Sequence, residues 1–133
     1  MFKVSTKTLN TREGILYVLL VKLEDKDLVK IGITTRPKIE DRVVEILTSI
    51  FQKYRRFPYC YPKRFKKTSN PLDKETRLHK YFEDYKYTTE HSFSGHTEFF
   101  DIELDIVVDA YDKLLRGEEL AEKYESGQEP DMD

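Results

Sequence analysis

The chain has 133 residues, 23 basic and 25 acidic, for a formal net charge of -2, and 36% of it is charged. That length fits one domain, since a second core would be starved of apolar residues, and the absence of any long apolar run excludes a transmembrane helix. Met1-Phe2-Lys3-Val4 lacks the apolar stretch of a secretory signal, and Cys60 is the single cysteine, so a soluble cytoplasmic protein with neither disulfide framework nor zinc site is expected.

The charge is unevenly spread. Gly117 to Asp133 holds seven acids and only Lys123, a net of -6, which leaves Met1 to Arg116 at +4. The near-neutral whole therefore does not argue against a polyanionic partner for the body. The expected organisation is an N-terminal arm over 1–13, one domain over 14–116 and an acidic tail over 117–133, the tail being a candidate for a protein partner.

Two apolar, β-branched-rich runs, Gly14 to Val21 and Leu28 to Thr35, flank a charged turn at Glu24 to Asp27 and predict a hairpin. With an even-numbered turn, odd positions of the first strand pair with even ones of the second, so Tyr17 and Lys30 share a face. Thr34-Thr35-Arg36-Pro37 then offers a helix start, with Glu40 and Asp41 suited to its first turn. The helix is expected over about 38–51. Ile39, Val43, Ile46, Leu47 and Ile50 form its apolar stripe, and Arg42 falls at the stripe's border, either reaching back to the sheet or snorkelling over the core edge.

Phe51 to Lys67 is the most distinctive stretch. It carries Lys53, Arg55, Arg56, Lys63, Arg64, Lys66 and Lys67 among six aromatic residues and no acid. Pro58 and Pro62 argue against a central strand, leaving an edge strand or a surface loop. Interleaved cations and rings suit a nucleic-acid surface, because cations neutralise phosphates and rings stack on exposed bases; a solvated basic face is the alternative.

Asn70 and Pro71 predict a helix start, and the helix should run to about Tyr85. Glu75 and His79 lie on its apolar arc with Leu78 and Phe82. A carboxylate there is costly unless it binds a metal or pairs, for instance with Arg42 or Lys30. Thr97 to Ile102 reads as a strand, and Glu98 could join the site or cap the basic surface. Leu104 to Leu115 reads as a helix closed by Arg116-Gly117, with Glu118 to Tyr124 continuing as an exposed helical segment.

A strand with Tyr17, a second with Lys30-Ile31-Gly32, Arg42 about ten residues on, then Glu75-Thr76-Arg77-Leu78-His79 and Glu98-Phe99-Phe100 together resemble the GIY-YIG nuclease superfamily, in its phage-type branch with a Lys-Ile-Gly second motif. The resemblance spans roughly 14–102. It implies a small α/β domain, a three-stranded antiparallel sheet flanked by helices, that hydrolyses phosphodiesters in DNA with Mg²⁺ or Mn²⁺, in a bacterial or phage-infected cytoplasm. It further implies Tyr17 as base or water-orienting phenol, Arg42 on the phosphate, Lys30 in the second motif's place, Glu75 as metal ligand and His79 as a supporting or proton-relay residue. An ordinary phenol is barely ionised at neutral pH, so a phenolic base needs cations nearby; a desolvated Lys30 is the rival base. The alternative is an inactive DNA-binding or protein-interaction module on the same fold.

Overall fold

A computed structural model describes residues 13–126. The expected N-terminal arm, apart from Glu13, and the end of the acidic tail, 127–133, lie outside the described residues.

The hairpin forms as strands β1 (Gly14–Leu23) and β2 (Lys26–Thr34). Glu24 and Asp25, at φ 54° and 61°, make the two-residue turn, whose positive φ at both positions matches the twist of the flanking strands. The Glu24 carboxylate anchors the turn, accepting from the hydroxyls of Tyr54 and Tyr87 and from the Glu90 N–H. The even turn sets the register: Tyr17 faces Gly32 and Leu19 faces Lys30, so Tyr17 and Lys30 do share a face.

Helix α1 (Ile39–Tyr54) follows and runs three residues past its expected end, to a left-handed Arg55. Strand β3 (Tyr59–Thr68) then pairs with β1. It is an edge strand, which is where a proline without an N–H is tolerated; the pairing slips at Lys63, next to Pro62, as a one-residue bulge. Helix α2 (Pro71–Tyr81), a 3₁₀ turn (Glu83–Tyr85), a second 3₁₀ turn (His96–Glu98), strand β4 (Phe99–Phe100) and helix α3 (Leu104–Leu115) complete the order.

The class is α/β, with four antiparallel strands in the order β3-β1-β2-β4 in place of the expected three. The fourth is easily missed because it contributes two residues, paired with Val29 and Lys30. The strand expected over 97–102 shrinks to this pair because Thr97 and Glu98 are taken into a 3₁₀ turn. Helix α2 ends at Tyr81 because the chain beyond it is drawn against β4: Tyr87 N–H donates to Phe99 and Asp101 N–H to Tyr85. Asn70 holds the cap position, at φ 50°, but its side chain makes no capping bond.

Helices cover both faces of the sheet, which is why β1 is apolar almost throughout. Ile15, Tyr17, Leu19, Val21 and Leu28 pack on Ile39, Ile46 and Ile50 of α1. Leu16, Val18, Val29 and Ile31 pack on Leu78 and Phe82 and on Val107, Ala110, Tyr111 and Leu114 of α3. Residues 118–124 form no helix; instead Tyr124 is buried against Tyr81, Phe82 and Tyr85. No helix among the described residues is long and apolar enough to cross a membrane.

Candidate active site

Beyond the two residues paired with β4, the outer edge of β2 has no strand partner at Ile31 and Gly32, which are buried, and polar groups from five elements converge there. Tyr17 arrives from β1 and Lys30 from β2, both with no solvent exposure. The Lys30 ammonium donates to the Tyr17 hydroxyl at 3.1 Å and forms an ion pair with Glu98, at the end of the 3₁₀ turn before β4. Arg42, half-buried at the border of the α1 stripe, reaches back as its position allows: Nε donates to Tyr17 Oη at 3.4 Å and Nη1 to Ser94 Oγ at 3.4 Å. Two cationic groups thus donate to one phenolic oxygen.

Gly32 makes the convergence possible. A Cβ there would lie 2.4 Å from Tyr17 Oη and 2.9 Å from Glu98 Oε1, so the phenol occupies the space that a side chain would take. Gly95, at φ 79°, turns the loop over the ammonium; a Cβ there would stand 2.7 Å from Lys30 Nζ. The Ser94-Gly95 turn is therefore the roof of the cluster.

Helix α2 brings Glu75 and His79 to the same edge. His79 Nε2 lies 2.8 Å from the Ile31 carbonyl, which can only accept, so Nε2 carries the proton and caps this backbone oxygen. Burial lowers the His79 pKa, which keeps the ring neutral in that role at pH 7. Glu75 Oε2 is buried without a hydrogen-bond partner. Burial, then the neighbouring Glu98 charge and a hydrogen bond shared with Glu98, push the Glu75 carboxyl up to about 7, with Lys30 acting in the other direction. The expected alternative, an ion pair from Glu75 to Lys30 or Arg42, is not formed; Lys30 goes to Glu98 and Arg42 to Glu45, at 3.6 Å.

Among the described residues no three His, Cys, Asp or Glu side chains group as metal ligands. Two converging carboxyls, one with an orphaned oxygen, fit Mg²⁺ or Mn²⁺, hard ions; Mg²⁺ in particular keeps several waters and takes one or two protein carboxylates. Glu98, left undecided by sequence, is the added member; the signal for it was its place just ahead of the Phe-Phe pair.

The basic residues follow the β3 edge but do not form one patch. Lys53, Arg55 and Arg56 are exposed at the end of α1; Lys63, Lys66 and Lys67 are exposed along β3. Register places Lys66 on the α3 side, opposite Leu16, and Lys67 on the α1 side, opposite Ile15. Arg64 is committed elsewhere, with two bonds of 3.0 and 3.1 Å to Asp112. Phe57, Tyr59, Tyr61 and Phe65 leave rings in solvent beside these cations.

The family to which the chain belongs is nuclease-like or DNA-binding. The family model that matches is that of the T5orf172 domain, over residues 14–115, and the chain belongs to that family. This corrects the resemblance to the GIY-YIG nuclease superfamily: a match across 14–115 outweighs a few short motifs, each only one to five residues long. Comparison with the curated proteins and with the solved structures gives no match.

Proposed function

We propose that the chain is a DNA endonuclease that hydrolyses phosphodiester bonds with one Mg²⁺ or Mn²⁺ at the unpaired edge of β2. The observation that carries this reading is the buried Glu75 Oε2, which has no hydrogen-bond partner, beside Glu98, whose carboxylate is paired with Lys30. Leaving such a group unsatisfied costs about 1–3 kcal/mol, a cost that a cation would offset. Glu75 and Glu98 would hold the ion, which when bound supplies Lewis acidity to the phosphoryl oxygen and lowers the pKa of bound water.

The remaining residues divide the work. Arg42 has a guanidinium near the surface of the cluster and steadies the phosphate. Lys30 and Arg42 both donate to Tyr17 Oη, so negative charge developing on that oxygen meets two cations, and Tyr17 takes or directs the water's proton. Lys30 serves as donor and counter-charge, since its ammonium is engaged by both Tyr17 and Glu98. His79 positions α2 against β2. Lys53, Arg55, Arg56, Lys63, Lys66 and Lys67 hold the DNA backbone, and Arg64 orders β3 against α3.

A second reading rests on a different observation. Tyr17 and Lys30 are wholly closed off beneath Ser94-Gly95, which favours a DNA-binding module without turnover, its acidic segment offered to a protein partner. One experiment separates the two: pure protein with single-stranded, duplex and branched DNA, in Mg²⁺ or in EDTA, beside Glu75→Gln. Cutting that needs Mg²⁺ and is abolished by Glu75→Gln, with DNA affinity kept within a few-fold, supports the endonuclease. Binding in both buffers without cutting supports the module.

A further inference from the structure

The cluster leaves a neighbouring cavity unused. On the α1 side of the sheet a cavity of about 690 Å³ opens between the β1–β3 pair and the start of α1. Ile15, Ile39 and Phe65 give it an apolar wall, and Arg36, Lys38 and Lys67 stand at its rim together with Glu13 and Glu40. The strand register fixes its relation to the site: Tyr17 faces Phe65, and Ile15 faces Lys67. The wall of the cavity therefore starts two residues, roughly 7 Å, along β1 from the Tyr17 backbone, while the Tyr17 hydroxyl itself points away from β3 and packs on Gly32 of β2.

Phe65 is the unexplained member. Its cross-strand partner Tyr17 is fully buried, yet Phe65 is 48% exposed, with its ring turned to the cavity rather than into the core. The rim cations are only partly neutralised. Arg36 is paired with Glu45 at 2.5 Å, but Lys67 meets Glu13 only at 4.0 Å between exposed groups, and Lys38 takes part in no ion pair among the described residues. An apolar wall with one exposed ring, and a rim on which three cations outnumber the carboxylates of Glu13 and Glu40, has the chemistry of a nucleotide pocket.

Resting on the DNA reading above, we propose that this cavity takes one unpaired nucleotide of the substrate, its base stacked on Phe65 and its flanking phosphate held by Lys38 and Lys67. The preferred substrate would then carry an unpaired nucleotide, as at a bulge or a flap. In intact duplex the base is already stacked, and withdrawing it costs a few kcal/mol, least when it is unpaired.

The test is binding by the full chain in EDTA, read by fluorescence anisotropy, to a perfect duplex and to the same duplex with one bulged nucleotide. Stacking one base on a ring contributes enough to expect a preference of about tenfold for the bulged DNA. Phe65→Ala should bring the ratio of the two affinities close to one, and Phe65→Trp should restore it. With 2-aminopurine as the bulged base, wild type should quench its fluorescence and Phe65→Ala should not. Duplex binding with no preference, or a preference unchanged in Phe65→Ala, overturns this inference alone; failure to bind either DNA overturns it together with the DNA reading.

Discussion

Replacing Glu75 with Gln should stabilise the protein at pH 8 and leave its stability nearly unchanged at pH 5. Folded Glu75 holds its proton to about pH 7, against an ordinary value of 4.5, because burial and Glu98 both disfavour the charge. Between those two values the folded chain binds more protons than the unfolded one, so stability falls as pH rises. The contribution is whole below 4.5 and is lost as pH climbs through about 7. At 1.36 kcal/mol for each pH unit the gap has an upper bound of about 3 kcal/mol. Glu75 is only half-buried, so solvent screening brings the expected effect to about 2 kcal/mol. For a domain of this size that is a melting-point rise of roughly 6–10 °C for Glu75→Gln at pH 8. Thermal unfolding by circular dichroism in EDTA at both pH values would measure it. Adding Mg²⁺ at pH 8 should raise the wild-type midpoint and leave the variant's in place. An equal difference at pH 5 and pH 8, or a variant less stable than wild type at pH 8, would refute the buried-carboxyl reasoning.

Gly32→Ala should cost about 3 kcal/mol in urea unfolding, because the new Cβ meets Tyr17 Oη at 2.4 Å in a filled core; a loss under 0.5 kcal/mol would mean that the phenol has room to move. Tyr17→Phe should be nearly inactive, whereas Lys30→Met should keep part of its activity; single-turnover rates on one duplex would check this, and the opposite pattern would make Lys30 the base. Truncation before Gly117 removes buried Tyr124 and should cost about 3 kcal/mol, whereas truncation after Ser126 should leave the melting point unchanged and tighten DNA binding at low salt; equal melting points for both would show that Tyr124 contributes nothing.

The hairpin was legible because its signal is local. Two β-branched runs and a short turn set the parity, and parity alone brought Tyr17 and Lys30 to one face before any distance was known. Arg42 at the stripe's border and Glu75 and His79 inside the apolar arc of α2 followed from periodicity, whereas the prolines excluded a central strand and left β3 as an edge strand or a loop, of which the structure shows the edge strand. What escaped depends on contacts distant in sequence. β4 has only Phe99 and Phe100, too short to show a period, and its place is set by Val29, Lys30 and residue 86. Helix α2 stops where pairing with β4 begins, not where its apolar pattern stops. Tyr124 lies in an acidic, polar segment whose composition suggests exposure, yet it fills a hollow between Tyr81, Phe82 and Tyr85.

Glu98 shows why the site was harder to read than the fold. Its sequence neighbourhood leaves two roles open, and only the close packing of Tyr17 on Gly32 decides between them. Without a side chain at Gly32, the Glu98 carboxylate reaches Lys30, which removes that ammonium as a partner for Glu75. Glu75 is then left as a buried carboxyl beside a second one, with an oxygen that no side chain satisfies. The missing β-carbon at Gly32, the engaged lysine and the orphaned oxygen are steps in one chain of causes. A substitution at Gly32 should therefore disturb cation affinity as well as stability, although residue 32 has no side chain with which to hold an ion.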